Sequence, residues 1–148
     1  MTLEEKINQD IKAAMIAKDQ GKLRGLRAVK AAILLAKTEK GHTEELSQDA
    51  EIKVLQKLVK QRKESGEIYK TQNREDLFLI EQEEQLVIES YLPQQLDREA
   101  VEAIIKDIIT SIGATSVKDM GKVMAAANQK LAGQADGKTI SEVVKSLL

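Results

Sequence analysis

A single proline, Pro93, interrupts a chain that is otherwise rich in helix-forming residues. Ala, Leu, Glu, Lys and Gln recur throughout, and these residues have high intrinsic helix propensities. No stretch of useful length alternates apolar and polar residues as a half-buried strand does. The sequence therefore predicts an all-α fold. Because proline disfavours helical geometry at the residue before it, Pro93 also predicts a boundary between an N-terminal long-helix bundle, residues 1–93, and a C-terminal three-helix domain, residues 94–148.

The N-terminal region begins with a helix-start signal. Thr2 and Glu5 fit a capping box, in which each side chain accepts a hydrogen bond from the other residue's backbone amide. Residues 18–21, Lys-Asp-Gln-Gly, predict the turn that ends this helix. The inward face of the first helix is predicted to consist of Leu3, Ile7, Ile11 and Met15.

Three further helices are predicted in this region. The second, at about residues 22–40, is apolar around much of its circumference, which is typical of a central helix in a bundle. Ser47 is expected to cap the third, which runs to about Gly66 or Thr71, and the fourth covers about residues 74–90. Their inward residues are predicted to be Leu23, Leu26, Val29, Ile33, Leu34, Ile52, Leu55, Leu58, Val59, Leu77, Ile80, Val87 and Tyr91.

The C-terminal region contains three shorter patterns. Asp97 is predicted to cap a helix that ends at Gly113, Ser116 to open one that ends near Gly133, and Thr139 to open the last through a second capping box. Their inward residues are predicted to be Val101, Ile104, Ile105, Ile108, Ile112, Val117, Met120, Val123, Met124, Ala127, Leu131, Ile140, Val143, Val144 and Leu147.

The composition excludes several classes of protein. Without cysteine there is no disulfide framework, thiolate nucleophile or Cys-based zinc site. The 23 basic and 24 acidic residues nearly cancel, which argues against nonspecific coating of nucleic acid and gives no reason to expect DNA as a partner. The first residues lack the pattern of a signal peptide, and no apolar run approaches the roughly 20 residues that span a bilayer. A cytoplasmic location without a membrane partner is therefore expected.

One segment resembles a phosphate-binding loop. Residues 132–139 satisfy a loose Walker-A pattern, with Ala132 in place of the first glycine. A true loop of this kind joins a strand to a helix, whereas a helix is predicted before this segment. Asp136 would also place negative charge beside the phosphates. We interpret the segment as the end of one helix at Gly133 and a turn leading to Thr139.

No group of residues points to catalysis. His42 is the only histidine and lies in a polar turn without an assignable partner. Glu81, Glu83, Glu84 and Glu89 are interpreted as a solvated helix face. We therefore expect no catalytic residue, no metal site and no cofactor.

Basic residues occur in three groups. One runs from Lys12 to Lys30 and includes Arg24 and Arg27, one lies on the third helix at positions 53–63, and one is in the C-terminal region. Such groups can hold phosphates, although solubility and pairing along a helix also explain them. With only three aromatic residues, the chain offers few rings on which bases could stack. The lysines of the third group are Lys118, Lys122, Lys130 and Lys138.

Several short motifs together resemble the YqeY family over nearly the whole chain. These are Leu23-Arg24-Gly25-Leu26-Arg27, Arg62-Lys63-Glu64-Ser65, Tyr69, Arg74-Glu75-Asp76-Leu77, Glu81 with Glu84, Tyr91-Leu92-Pro93-Gln94-Gln95-Leu96, Met120-Gly121-Lys122-Val123-Met124 and Gly133-Gln134-Ala135-Asp136-Gly137-Lys138.

The resemblance implies a helical bundle followed by a three-helix domain similar to the tail of GatB, a subunit of the tRNA-dependent amidotransferase. In that enzyme the tail contacts the tRNA body, and the kinase and amide-transfer chemistry lie in other domains. The positions that match the tail motifs are Met120, Gly121, Lys122, Gly133, Gln134, Asp136, Gly137 and Lys138. Members of the family often have a basic residue where this chain has Gln134.

Three functions remain open from the sequence. The first is a non-catalytic accessory protein that binds tRNA through its tail, with contacts expected at Lys118, Gly121, Lys122, Lys130, Gln134 and Lys138, and also at Arg24 and Arg27. The second is a helical adaptor that binds a protein and no RNA. The third is a component of a glutamine-dependent carbon–nitrogen ligase, which implies an amidotransferase as the partner.

Overall fold

The computed structural model describes residues 1–39 and 45–148, and these fold into helices joined by turns, without a strand among them. The predicted all-α fold is confirmed. The described residues form two compact units, Met1–Leu92, called the bundle below, and Pro93–Leu148, called the tail. That these units are separate domains stays a prediction. The turn containing His42 lies outside the described residues.

The bundle begins as the sequence predicts. Thr2 and Glu5 form the capping box, and the Ser47 hydroxyl accepts a hydrogen bond from the Ala50 amide at the start of the third helix. Its apolar core consists of Ile7, Ala14, Leu23, Leu26, Val29, Ile33, Leu55, Leu58, Val59 and Ile88. The helices are α1 (Leu3–Ala17), α2 (Gln20–Glu39), α3 (Gln48–Thr71) and α4 (Glu75–Glu89).

Two glycines allow α2 and α4 to approach closely. A Cβ atom on Gly25 would lie 2.9 Å from two carbons of Val87, and one on Gly21 would overlap the Glu83 carboxylate. The later residue of α2, Gly25, meets the later residue of α4, Val87, so α2 and α4 run in the same direction. Gly21 was predicted to be part of a turn, and that prediction is wrong: it lies buried in the first turn of α2, where the neighbouring helix needs its space.

α3 and α4 form an antiparallel hairpin. Gly66 faces the ring of Phe78, whose nearest carbon is 3.2 Å from the place of a Cβ. The Lys70 ammonium lies 4.5 Å from the centre of the same ring. Asn73 turns the chain between the helices with a positive φ of 57°, a conformation that asparagine tolerates better than most residues.

Polar contacts attach α1 to the other helices. A Glu51 carboxylate oxygen of α3 accepts a 2.8 Å hydrogen bond from the Leu3 amide, at the positive end of the α1 dipole. Lys37 of α2 forms an ion pair with Glu4. These contacts place the start of α1 beside both the end of α2 and the start of α3.

The tail has its own apolar core. The Asp97 carboxylate caps its first helix, and Gly113 ends that helix with a φ of 74°, both as predicted. The core consists of Val101, Ile105, Ile108, Val123, Ala127, Leu131, Ala135, Ile140, Val143 and Val144. The elements are α5 (Arg98–Ile112), a single 3₁₀ turn (Val117–Asp119), α6 (Met120–Lys130) and α7 (Gly137–Leu147).

Five residues that were predicted to face inward are exposed. A repeat of four residues rotates by about 40° per step around a helix, so Met15 leaves the stripe that Ile7 begins, and Ala14 is buried instead. Adjacent helix positions differ by about 100°, which separates the exposed Leu34 from the buried Ile33. The other three are Ile80, Ile112 and Val117.

The start of α7 also differs from the prediction. Asp136, and not Thr139, is the N-cap, and its carboxylate accepts a 2.7 Å hydrogen bond from the Thr139 amide. Aspartate is at least as good a cap as threonine, so the helix begins one turn earlier.

The glycine contact between α2 and α4 predicts a stability difference. Gly25→Ala should destabilise the protein by about 1–2 kcal/mol, because overpacking costs roughly 1–3 kcal/mol and alanine recovers up to about 1 kcal/mol of helix propensity. Gly121→Ala in α6 is the matched control, since nothing lies within 4 Å of its Cβ position. It should stabilise the protein by about 0.5–1 kcal/mol. Urea unfolding followed by circular dichroism measures both, and equal effects would contradict the contact.

The end of α1 predicts a second difference. Lys18 caps this helix with a φ of 58°, in the left-handed region that disfavours residues with a Cβ. Lys18→Gly should therefore stabilise the protein by about 1 kcal/mol. Lys12→Gly, at an exposed position within α1, should destabilise it by about 1 kcal/mol. Thermal unfolding compares the two, and a loss of stability in both variants would refute the role of Lys18.

Candidate nucleic-acid interface

The first part of the candidate surface is the 3₁₀ turn before α6. The Ser116 hydroxyl accepts a 3.3 Å hydrogen bond from the Lys118 amide, and the Asp119 carboxylate accepts one of 3.1 Å from the Thr115 amide. The side chains of the serine and the aspartate thus each accept a hydrogen bond from a nearby backbone amide. The side chain of Lys118 is exposed.

α6 turns its predicted contact residues towards solvent. Val123 and Ala127 are buried in the tail core, and Gly121, Lys122 and Lys130 are exposed. No atom lies within 4 Å of a Cβ placed on Gly121, so packing against a neighbouring helix does not explain the glycine there.

The turn between α6 and α7 is held by backbone contacts. Gly133 has a φ of 76°, and the Gln134 carbonyl accepts a 2.9 Å hydrogen bond from the Leu96 amide. The Gln95 side chain donates to the Gly133 carbonyl at 2.6 Å. The structure therefore gives Gln134 a part in tail architecture, and the segment that resembles a Walker-A loop follows a helix, as we interpreted it. Lys138 is exposed at the start of α7.

Charge is unevenly distributed along the tail. Residues 97–112, which comprise α5 and its cap, contain four acidic and two basic residues. Residues 113–139 contain four lysines and two aspartates. The lysines of this second segment, called the lysine segment below, form no ion pair with another described residue.

Arg24 and Arg27, the other predicted contacts, lie on α2 of the bundle. Arg24 forms a 3.3 Å ion pair with Glu83, in which both side chains remain about half exposed. Such a surface pair contributes at most about 1 kcal/mol. Arg27 is exposed.

A partly buried charged group in the bundle was missed from the sequence. Arg62 of α3 lies 3.6 Å from Glu84 of α4, and both side chains are less than 20% exposed. The interpretation of Glu84 as part of a solvated face is therefore wrong. The spacing of Glu84 in the sequence could have predicted its partial burial, because Glu81 and Glu84 lie on the same helical stripe as Leu77 and the buried Ile88.

Two of the aromatic rings are occupied within the bundle. Phe78 packs against Gly66 and beneath Lys70. The Tyr91 hydroxyl donates to Asp10, and Lys6 lies 5.4 Å from the centre of its ring. Burial and the hydrogen bond to Asp10 raise the pKa of Tyr91 above its ordinary value. These rings serve packing, which leaves little for the stacking of bases.

The described residues contain neither a metal-binding cluster nor a membrane-spanning helix. No group of three or more histidine or acidic side chains is placed to hold a metal ion in residues 1–39 and 45–148. Within the same ranges, no helix combines the length and apolar character that crossing a bilayer requires.

Comparison with known proteins gives a family match over nearly the whole chain. The sequence model of the family described as Yqey-like protein matches residues 4–148. Altered inheritance of mitochondria protein 41, mitochondrial, of Vanderwaltozyma polyspora is 31% identical over 121 residues, or 77% of this chain and 64% of the relative. The protein of the same name from Meyerozyma guilliermondii is 37% identical over 86 residues, or 58% of this chain and 44% of the relative. The chain thus matches less than two thirds of either relative's length.

The charged group of α3 and α4 predicts a pH dependence. Burial, and next the neighbouring Glu84, raise the pKa of Glu81 above its ordinary value, while Arg62 opposes the shift. The folded state therefore holds the Glu81 proton more tightly than the unfolded state does. This contribution to stability is present below the unfolded pKa, about 4.3, and is lost as the pH rises through the folded pKa.

Glu81→Gln should consequently be more stable than the parent protein at pH 7, and the advantage should shrink towards pH 4. Urea unfolding at several pH values measures the difference. Glu67→Gln, which removes a charge from an exposed position of α3, controls for net charge. An advantage of Glu81→Gln that does not change with pH would contradict the assignment.

Proposed function

Because the chain belongs to the YqeY-like family, we propose that it is an accessory protein that binds the folded body of a tRNA through its lysine segment. The observation that carries this proposal is the exposure of Lys118, Lys122, Lys130 and Lys138, none of which pairs with another described residue. A phosphate contact needs a cationic side chain that is exposed and not already paired with a carboxylate, and these four lysines meet that condition.

The two aspartates of the lysine segment offset only part of the positive charge of its four lysines. Asp119 accepts a hydrogen bond from the Thr115 amide, and Asp136 caps α7. Both carboxylates thus lie at helix starts, where backbone amides and the helix dipole offset part of their charge. A phosphate backbone would meet the lysines beside partly compensated aspartates.

Exposed glycines support a close approach of the RNA backbone. Gly121 precedes Lys122 at the start of α6, and Gly137 precedes Lys138 at the start of α7. No atom lies within 4 Å of a Cβ position at either glycine. A glycine in a helix costs up to about 1 kcal/mol relative to alanine, and here no packing contact offsets that cost.

The mode of binding that fits this surface is recognition of shape and backbone. Base-specific binding of single strands uses aromatic platforms, and Phe78 and Tyr91 are engaged inside the bundle. The net charge of −1 favours a local contact over nonspecific coating. We propose the cytoplasm as the compartment, and no observation on the described residues favours a part in amide transfer.

The proposal predicts salt-dependent tRNA binding. The affinity of the full-length chain for a tRNA transcript, measured by fluorescence anisotropy, should fall steeply between about 50 and 200 mM salt. Lys118→Ala/Lys122→Ala should weaken binding and reduce the salt slope by about 2, because each phosphate contact contributes about 1. Gly121→Leu should weaken binding with little change in the slope, because it blocks approach and removes no charge.

The matched control is Lys106→Ala/Lys145→Ala, which removes two exposed lysines of the tail outside the lysine segment. It should leave affinity and slope nearly unchanged. Absence of any tRNA binding at about 50 mM salt would refute the proposal. So would equal losses in the two double variants.

A further inference from the structure

The face of α2 that holds α4 extends beyond the end of α4. Gly21 and Gly25 of α2 meet the C-terminal half of α4, which ends at Glu89. Because α2 and α4 run in the same direction, the residues of α2 that follow by a turn or more lie past that end. α3 runs in the opposite direction, and Arg62 pairs with Glu84 before the end of α4, so only the residues of α3 that precede Lys57 lie past that end.

An open groove lies between α2 and α3 where this face of α2 continues. Ala32 and Ala36 of α2 follow Gly25 at spacings of seven and eleven residues, which keeps them on the face of the glycine contact. Val54 of α3 lines the groove opposite them. On α2, the floor therefore continues the face against which α4 packs.

The walls of the groove are apolar on one side and basic on the other. Leu35 of α2 lines it and is 60% exposed. Lys53 and Lys57 of α3 are exposed and form no ion pair with another described residue. Among the described residues that line the groove, Glu39 is the one acid. An apolar floor with two cations along one wall complements an apolar helix face with acidic residues beside it.

We propose that this groove binds one amphipathic helix of a partner protein, lying along the part of the α2 face that extends past α4. The eight residues of α2 from Ala32 to Glu39 span about 12 Å, so the groove holds about two turns of the partner. The partner's apolar side chains at i, i+3 or i+4, and i+7 contact Leu35 and the floor. Its acidic side chains lie beside Lys53 and Lys57.

A selection experiment tests the chemistry without assuming a sequence. The probe is a phage-displayed library of helical peptides with leucine at i, i+4 and i+7 and with Glu, Lys, Gln or Ala elsewhere. It is panned against the full-length chain and counter-selected against Leu35→Glu, which alters an exposed residue and should fold. Selection is expected to enrich peptides with glutamate along one flank.

Affinities of an enriched synthetic peptide then test the two walls at about 0.15 M salt, where charges more than about 8 Å apart are screened. Leu35→Glu and Lys53→Glu/Lys57→Glu should each weaken binding at least tenfold. Lys60→Glu/Lys63→Glu, the same change on α3 outside the groove lining, should change affinity less than twofold. A peptide with lysine in place of the flanking glutamates should prefer Lys53→Glu/Lys57→Glu to the parent chain. These magnitudes are roughly those of charged and apolar contacts in interfaces.

Four results would overturn the proposal. One is the absence of enrichment over the Leu35→Glu target, and another is enrichment of lysine-flanked peptides. A third is displacement of the peptide by tRNA whose own affinity falls in Lys53→Glu/Lys57→Glu, which would assign the groove to RNA. The fourth is a dimer in sedimentation that Leu35→Glu converts to monomer, which would assign it to a second copy of the chain.

Discussion

The arrangement of the bundle depends on the contact between α2 and α4 at Gly21 and Gly25. Where the helices meet, Val87 and Glu83 occupy the space that side chains on α2 would need, so the absence of a Cβ sets the distance between the helices. This contact fixes the register of α4 against α2, and the pairing of Gly66 with Phe78 fixes it against α3. The position where α4 ends follows from these two registers. The groove beyond that end is therefore a consequence of how the bundle packs, and it requires no movement of the helices to become accessible.

The tail uses its charged residues in two different ways. Asp97 and Asp136 accept hydrogen bonds at helix starts, where free amides and the helix dipole favour negative charge. The lysines of the lysine segment have no equivalent structural use and extend into solvent. A tail with almost no net charge can therefore still expose four lysines that form no ion pair with another described residue. The two proposed surfaces differ in chemistry: the tail would act through charge and exposed backbone, and the bundle groove through apolar burial bordered by two lysines.

Local signals made most of the fold predictable. The caps Thr2, Ser47 and Asp97 and the glycine that ends α5 depend only on neighbouring residues, and each lies where the sequence predicts it. The failures depend on which helices meet. In the sequence Gly21 resembles a turn glycine, and only the contact with Glu83 of another helix shows why it is buried. In the same way Glu84 resembles a solvated acid, and only its contact with Arg62 shows that it is partly buried. In the candidate interface, helical spacing predicts which way Lys122 points, but no local pattern predicts the contact of Gln134 with Leu96 that positions the turn after α6.

RNA is proposed to contact the tail through its lysine segment while the bundle groove remains available for a protein. Ultraviolet crosslinking of the full-length chain to a tRNA transcript, followed by mass spectrometry of the attached peptides, tests this most directly. Crosslinks are expected to concentrate in residues 113–139, with the peptides that carry Lys53 and Lys57 unmodified. Crosslinks concentrated in the bundle, or an absence of crosslinks under conditions in which tRNA binds, would contradict it.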